Sequence, residues 1–400
     1  MRSMVKPEYD VVVVGSGPAG SATAKACAER NLSTLVLDRS REIGTPKRCG
    51  EGLSQNSVKT LGLEMPSNCI AQEIDGAIVY APNGKRIDIQ FEGTKGYVLE
   101  RKAFDKWLAG EAARAGATVM AKSEVRSLLT EAGAVKGVRA NVIGDEAEIR
   151  SKVVVAADGV ESLVLREAGL KSGKSLQCTD SGFQYEMAGI GMDDSRKIML
   201  YFGNRIAPRG YVWVFPKGKD VANVGIGIGP LHNTGRTAKQ YLDEWIASRP
   251  EIRKGSVIEV NAGAIPVGGF METMTGNGVL GVGDAVNQVN PIHGGGIAES
   301  IKAGRLAAEV IKDAVGRGDV SAAGLRAYDE RWWEEHGQRL KKVEKVREFF
   351  EKLSDDEMDD LADVLSGQDL TDLSHGIGLA KVMELYVKFK ARGLVRKLTG

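Results

Sequence analysis

The residues best placed to do chemistry are glycines and carboxylates gathered where apolar runs end. From Asp10 the chain reads DVVVVGSGPAG, and a second apolar run, LSTLVLD, ends on Asp38, 23 positions after Gly15. Buried strand, glycine turn, helix start, second strand and terminal carboxylate is the order of a dinucleotide site. Gly15 permits the tight turn, Gly17 lets backbone approach a pyrophosphate, and Gly20 lets the helix pack against the sheet. The helix start, with Ala19, offers N–H groups and a positive dipole end to phosphates. Asp38 is expected to accept from a ribose 2′-hydroxyl, and its charge disfavours the 2′-phosphate of NADP. Glycine-rich turns often follow strands for structural reasons alone, but here both strands, the helix and the carboxylate are in register.

Two further segments repeat the pairing. ADGVES holds Asp158, Gly159 and Ser162, and GVGDAVNQVNPIHGGGIAES holds Asp284 and Gly294 to Gly296. Asp284 is expected to accept from a ribityl hydroxyl. The N–H groups of Gly295, Gly296 and Ile297 are expected at the pyrimidine end of a flavin, where they would favour its anionic reduced form. Each alone reads equally well as a strand-to-helix turn; three in one chain point to FAD.

In PKRCGEG (46–52) the glycines around Glu51 let a loop approach a ligand, and Lys47 and Arg48 are expected to lower the pKa of the Cys49 thiol. Two roles for Cys49 stand: gate or proton donor beside a flavin, or buried small residue. YVWVFPKG (211–218) places Tyr211, Trp213 and Phe215 on one strand face. They read either as a core stripe or as a ligand wall whose ring faces stabilise developing positive charge. His293 reads as a proton source or as a structural brace.

These residues must be positioned by an α/β framework. Residues 9–38 read as a β–α–β unit, RKAFDKWLAGEAAR (101–114) as a helix, ATVMAKSEV as a returning strand, 125–155 as a small antiparallel meander, and VVVAADG as a strand buried on both faces. From about 177 to 265 short alternating strands (IMLYF, YVWVFP, ANVGIGIG) predict an antiparallel sheet, after which GVLGVGDAV leads into a helix near 296–316. The expected architecture is a discontinuous Rossmann-type FAD-binding domain (1–70, 97–176 and 270–320), a mainly antiparallel β substrate domain (71–96 and 177–269), and a helical region (321–400). RWWEEHGQRLKKVEKVREFFEKL reads as one strong helix. The last twenty residues carry a net charge of +5 (six basic, one acidic) interleaved with apolar residues. They read as an interfacial amphipathic helix or, more commonly, as a tail packed on its own protein.

Composition narrows the class. Net charge is +1, with 54 basic and 53 acidic residues, so no global field selects nucleic acid. The four cysteines (Cys27, Cys49, Cys69, Cys178) show neither CxxC nor zinc spacing, which fits a reducing cytoplasm and no metal site. No run approaches the ~18 apolar residues of a membrane span. Without a second complete GxGxxG site, the reductant must dock transiently, as NAD(P)H or a reduced carrier protein.

GSGPAG with Asp38, RKAFDKWL, ADGVES and GDAVNQVNPIHGGGIAES together resemble the aromatic-hydroxylase-like class of FAD proteins. Within that class PKRCGEG and YVWVFPKG resemble signature segments of the geranylgeranyl reductases, in the archaeal branch acting on digeranylgeranylglycerophospholipids. The resemblance spans roughly residues 8–320. It implies that Cys49, Gly50 and Gly52 line FAD, that Arg101 contacts it, and that the Val125 backbone meets its adenine half. Hydroxylating members of the class carry arginine three residues after the serine of the ADG segment. Here Leu165 stands there and Arg166 follows, as in the reductases. The resemblance implies an FAD-dependent reductase of the C=C bonds in prenylated ether lipids, cytoplasmic, with peripheral contact to the inner membrane face. A flavin monooxygenase acting on aromatic or polyketide substrates, and a flavin-containing lipid carrier, are the rival readings.

Overall fold

The computed structural model describes residues 5–90, 96–170, 178–230 and 235–387. The apolar run before the first glycine turn forms the strand Glu8–Val14, at the centre of an eight-stranded sheet. Val11, Val12 and Val13 have no exposed surface. Burying each contributes about 1.5–3 kcal/mol. This strand pairs in parallel with Thr34–Leu37 on one side and with the end of Asp145–Ala156 on the other. Sheet order therefore diverges at its carboxyl end, and that divergence opens the crevice into which the glycine turn projects.

The strand Asp145–Ala156 serves two partners. Its first half pairs antiparallel with Ala134–Val142, completing the 125–155 meander, while Val153–Ala156 runs parallel to Val11–Val14. Val279–Gly281 adds in parallel beyond it. ATVMAKSEV is not one strand: Thr118–Met120 ends, Lys122 takes a left-handed φ of 51°, and Val125 belongs to the next strand, Ser123–Glu131. Helices Pro18–Glu29 and Ile297–Arg317 pack on each other over the parallel strands.

A second sheet of seven strands runs Ser256–Pro266, Thr179–Ala188, Val221–Ile228, Tyr211–Pro216, Lys197–Phe202, Gly76–Tyr80, Arg86–Gln90. It is antiparallel except where Lys197–Phe202 meets Gly76–Tyr80. One face packs Met199, Tyr201, Val212, Val214, Val224 and Ile226 against Leu242 and Trp245 of the helix Ala238–Ala247. A third, three-stranded sheet joins Gly52–Ser54, Gly96–Leu99 and Ile70–Ile74.

Beyond residue 321 the chain is helical. The expected helix forms, with one widened turn: Ala327–Trp332 runs through Trp333–Gly337 into Gln338–Phe350 without leaving helical backbone angles. The Trp333 ring lies where a side chain on Gly337 would stand, 2.3 Å from the ideal Cβ, which seats an extra residue in the turn. Helices Asp355–Ala362 and Gly367–Ser374 follow, sharing an apolar cluster with Val346 and Leu353. Val382, Leu385 and Tyr386 join that cluster, so the described start of the tail packs on its own protein; residues 388–400 lie outside the described residues. Among the described residues, no helix is long and apolar enough to cross a membrane.

Candidate active site

The glycine turn is built for a close-approaching ligand. Gly15 has a φ of 101°, and a Cβ there would lie 2.4 Å from the Ala157 carbonyl oxygen; one on Gly20 would lie 1.9 Å from the Gly15 oxygen. At Gly17 nothing stands within 4 Å of the Cβ position. Gly17 caps the helix Pro18–Glu29 without a side-chain hydrogen bond, leaving its first N–H groups to a ligand. Gly17, Pro18 and Ala19 line a cavity of about 820 Å³.

Asp38 lies beside this turn. Its Oδ2 accepts from the Ser16 backbone N–H at 2.8 Å and the Ser16 hydroxyl at 2.6 Å, and its Oδ1 from the Ser40 N–H at 2.8 Å. The carboxylate therefore also holds the turn closed. Its carbonyl accepts from the N–H of Ser123, which places Val125 two residues along the strand that starts there.

The second and third pairings differ from each other. Asp158 accepts from the Ser162 hydroxyl at 3.0 Å and the Val164 N–H at 3.1 Å, so it ties down the following helix, while its neighbours Ala157 and Gly159 line the cavity. Asp284 lines the cavity next to Gly296, whose Cβ position is 3.0 Å from Asp284 Oδ1. The Gly295 N–H donates to His293 Nδ1 at 3.1 Å. Of the three donors expected at the pyrimidine end, Gly296 and Ile297 open the helix Ile297–Arg317 without a capping side chain, and among the described residues neither N–H has a partner. Burial, with His375 and Arg339 nearby, lowers the His293 pKa to about 4. With Nδ1 accepting, its proton sits on Nε2, and its carbonyl accepts from the Tyr211 hydroxyl at 3.0 Å.

In PKRCGEG the expectation for Cys49 is reversed. Lys47 turns away into a buried ion cluster and Arg48 is exposed along the cavity edge. Burial raises the thiol pKa; the opposing influences are the Arg101 guanidinium, within hydrogen-bonding reach of the sulfur, and the Glu51 N–H at 3.2 Å. Arg101 is itself held bidentate by Asp105, both contacts at 2.9 Å. Cys49, Gly50, Gly52 and Arg101 all line the cavity.

Glu51 is the residue that pattern reading passed over. It has no exposed surface and a left-handed φ of 77°. Its carboxylate accepts from the Arg101 N–H at 2.8 Å and Asn223 Nδ2 at 2.6 Å, and pairs with Lys47 at 3.1 Å and Lys217 at 3.0 Å. Burial works against the Lys217 ammonium, but Glu51, Glu100 and Glu186 overcome it and raise its pKa. The two signature segments thus meet through Lys217 and Glu51. A non-glycine between two glycines was the available signal.

The aromatic stripe faces the cavity. Val212 and Val214 take the core side, and Tyr211, Trp213 and Phe215 the other, with ring centroids 5.9 and 6.4 Å apart. Phe215 lies against Gly50, 3.1 Å from its Cβ position. The Trp213 indole lies over Gly225, where a Cβ would be 2.3 Å from the ring. Trp213 Nε1 donates to Gln184 Oε1 at 2.8 Å, and Gln184 Nε2 to the Cys49 carbonyl at 3.2 Å, coupling wall to loop. Ile198, Leu200 and Phe202 of the neighbouring strand also line the cavity, as do Val346, Phe350, Leu361 and Leu373 of the C-terminal helices.

FAD fits the residues present. An open position at Gly17, two uncapped helix starts and one continuous cavity between them are what a long dinucleotide requires.

Comparison with known proteins agrees. Residues 179–265 match the geranylgeranyl reductase catalytic domain, and residues 13–48 an NAD(P)-binding Rossmann-like domain. The chain is 38% identical over 395 residues to digeranylgeranylglycerophospholipid reductase 2 of Methanosphaera stadtmanae, spanning 97% of this chain and 98% of that one. It is 40% identical over 389 residues to the protein of the same name from Methanopyrus kandleri, spanning 96% and 97%. A solved geranylgeranyl bacteriochlorophyll reductase-like protein of Thermoplasma acidophilum superposes with a TM-score of 0.85 at 38% identity, over 95% of each chain. The chain belongs to the family of digeranylgeranylglycerophospholipid reductases.

Proposed function

We propose that this protein is an FAD-dependent reductase of the C=C bonds in the geranylgeranyl chains of archaeal-type ether phospholipids. The observation that carries the reading is the continuity of one cavity from the dinucleotide turn, past Cys49 and the aromatic wall, to an apolar slot under the C-terminal helices.

When bound, reduced FAD supplies two electrons and one hydrogen to the alkene. The protein must hold the alkene, exclude water and supply the second hydrogen as a proton. Gly15, Gly17, Ala19, Gly20, Asp38 and Val125 are assigned to the pyrophosphate and adenosine half, and Asp284, Gly296 and Ile297 to the flavin half. Gly295 supports that half indirectly, through His293. Tyr211, Trp213 and Phe215 form the substrate wall, and their ring faces stabilise positive charge developing on the alkene. Cys49 is assigned as proton donor. Burial keeps it a thiol at neutral pH, and Arg101 stands ready to stabilise the thiolate left after transfer. The neutral His293 braces the Gly295 turn, and the N–H it keeps in that form is too weak an acid to serve as the proton source.

The reductant is external, a nicotinamide or a reduced carrier protein. Ile377, Met383 and Val387 are exposed in the segment that follows the cavity-lining helix Gly367–Ser374, and peripheral contact with a lipid surface is assigned there. Met383→Glu with Val387→Glu should reduce co-flotation with anionic vesicles; unchanged flotation would place the contact elsewhere.

The decisive test is anaerobic. Reduced holoenzyme mixed with a geranylgeranyl ether lipid should reoxidise, and mass spectrometry should find two added hydrogens per double bond. Reoxidation only on admitting oxygen, with hydroxylated product, would establish a monooxygenase. Bound lipid with no reoxidation would establish a carrier.

A further inference from the structure

The second sheet carries its cavity-facing side chains in register across the strands. Trp213 stands opposite Leu200, Leu200 beside Val79, and Val79 opposite Ile87, so four strands contribute one transverse row. Ile198, Ala77 and Ile89 form a second row beside it. All of these line the cavity, while Ile78, Met199 and Val214, which alternate with them, are buried in the core on the other face. In the opposite direction from Trp213 the first row runs through Gly225 to Gln184 and Asn261. The cavity floor is therefore polar on one side of the aromatic strand and apolar on the other.

The apolar side comes to an end. Arg86–Gln90 is the edge strand among the described residues, and the helix Gly367–Ser374 begins against it: a Cβ on Gly367 would stand 2.8 Å from the Asp88 carbonyl oxygen and 3.2 Å from Ile89 Cα. Leu370 and Leu373 of that helix line the cavity, and Ile89 is only 8% exposed although it lines the cavity too. The turn before the edge strand is tied to the preceding helix, by the Asn83 N–H to Asp359 at 3.0 Å and by Lys85 to Asp363 at 2.7 Å. The floor from Trp213 to Ile87 thus has a fixed length, three strand steps or about 14 Å. A prenyl unit adds four main-chain bonds, so in extended form it matches one step of ~4.8 Å.

We infer that this floor measures chain length, an inference that rests on the reductase reading above: the prenyl tail lies across the strands with its last unit on Ile87 and Ile89, and Val79 and Ile87 determine which double bond stops at Trp213. Four strands then hold four units, one at the reacting centre and three beyond it. The reverse orientation would bury a charged headgroup against Ile87, Ile89 and Leu370, whose side chains offer it no hydrogen bond. The loop bearing Cys49 crosses the floor where the apolar side starts, with Gly50 against Phe215 and the Cys49 carbonyl on Gln184. The double bond nearest the headgroup therefore reaches Cys49 only when the tail is fully seated, and each more distal bond reaches it with the tail partly withdrawn. A fifth unit would meet the closed end one step too soon.

The test gives reduced holoenzyme ether lipids with three, four or five prenyl units per chain and locates the surviving double bonds by mass spectrometry. Wild type should saturate the three-unit and four-unit chains and leave the five-unit chain with the double bond nearest its headgroup. Ile87→Phe and Val79→Phe fill the floor at successive steps. Ile87→Phe should still saturate the three-unit chain but slow the last reduction of the four-unit chain about tenfold or more, the discrimination an apolar pocket exerts against a misfitting group. Val79→Phe should impose the same limit one unit earlier, on the three-unit chain. FAD content and Tm check that the variants are folded, and should either fail to fold, the five-unit product of wild type decides. Complete saturation of the five-unit chain by wild type, survivors at its tail end, or equal slowing of every bond in both variants overturns the inference and leaves the reductase reading intact. Failure of the four-unit lipid to reoxidise wild type overturns both.

Discussion

Lys217 Nζ stands 3.0 Å from Glu51 Oε2, and neither side chain is more than 3% exposed. This contact joins the end of the aromatic strand to the loop that carries Cys49, so substrate wall and proposed acid are held at one mutual distance. Lys47, Glu186, Glu100 and Glu259 join the cluster, and Glu186 is held below the usual carboxylate range by the two lysines despite its burial.

Glu51→Gln keeps the shape and removes the charge. Lys217 would keep Glu100 and Glu186, and Lys47 would keep Glu186 and Glu259, but both would lose the one carboxylate that is fully buried with them, and breaking a buried pair in this way costs about 3–5 kcal/mol. Urea unfolding should show a loss of that order. A loss below about 1 kcal/mol would mean that the lysines find water instead.

Cys49→Ala should keep FAD and still be reduced by dithionite, while reoxidation by prenyl lipid falls about 10²-fold or more. A gating role predicts modest rate loss with altered double-bond selectivity. The raised thiol pKa sets a sign for pH as well. The donor form persists above the ordinary thiol range, so the wild-type rate should not decline between neutral and mildly alkaline pH; a decline there would mean the thiol ionises early.

Gly225→Ala tests the wall without touching the reacting centre. The new methyl would stand 2.3 Å from the Trp213 ring, so the indole must move. Turnover of long prenyl chains should drop as in Trp213→Ala, with FAD content intact in both. Loss of FAD in either variant would make the stripe a support for the cofactor.

His293 contributes to stability with a definite sign. Its folded pKa of about 4 lies below the ordinary value, so between roughly pH 6.5 and 4 the unfolded chain binds the proton that the native state refuses. Stability from this group is therefore lost as pH falls through that window. His293→Gln, whose amide oxygen can still accept from Gly295, should flatten that part of the curve. An identical slope in both proteins would show that the imidazole protonates freely in the native state.

Local pattern determined much of this protein. The turn at Gly15, the helix at 101–114, the alternation of Tyr211, Trp213 and Phe215, and the helix after Gly296 depend on neighbours within a few residues, and each was legible in the chain. Which way the stripe faces was not. Period two puts three rings on one side, but only assembly of the second sheet, with Gly225 beneath Trp213, turns that side to the cavity. The helix over RWWEEHGQRLKKVEKVREFFEKL was legible, but its widened turn was not, because nothing local shows the Trp333 ring settling on Gly337. Cys49 shows the limit most clearly. Lys47 and Arg48 adjoin it in sequence and argue for an early-ionising thiol, yet the chain sends one into Glu51 and Glu186 and the other to the surface. The groups that act on the sulfur are the surrounding burial and Arg101, 52 positions away. Electrostatics depends on distance in space and on excluded water, and only the tertiary structure decides either.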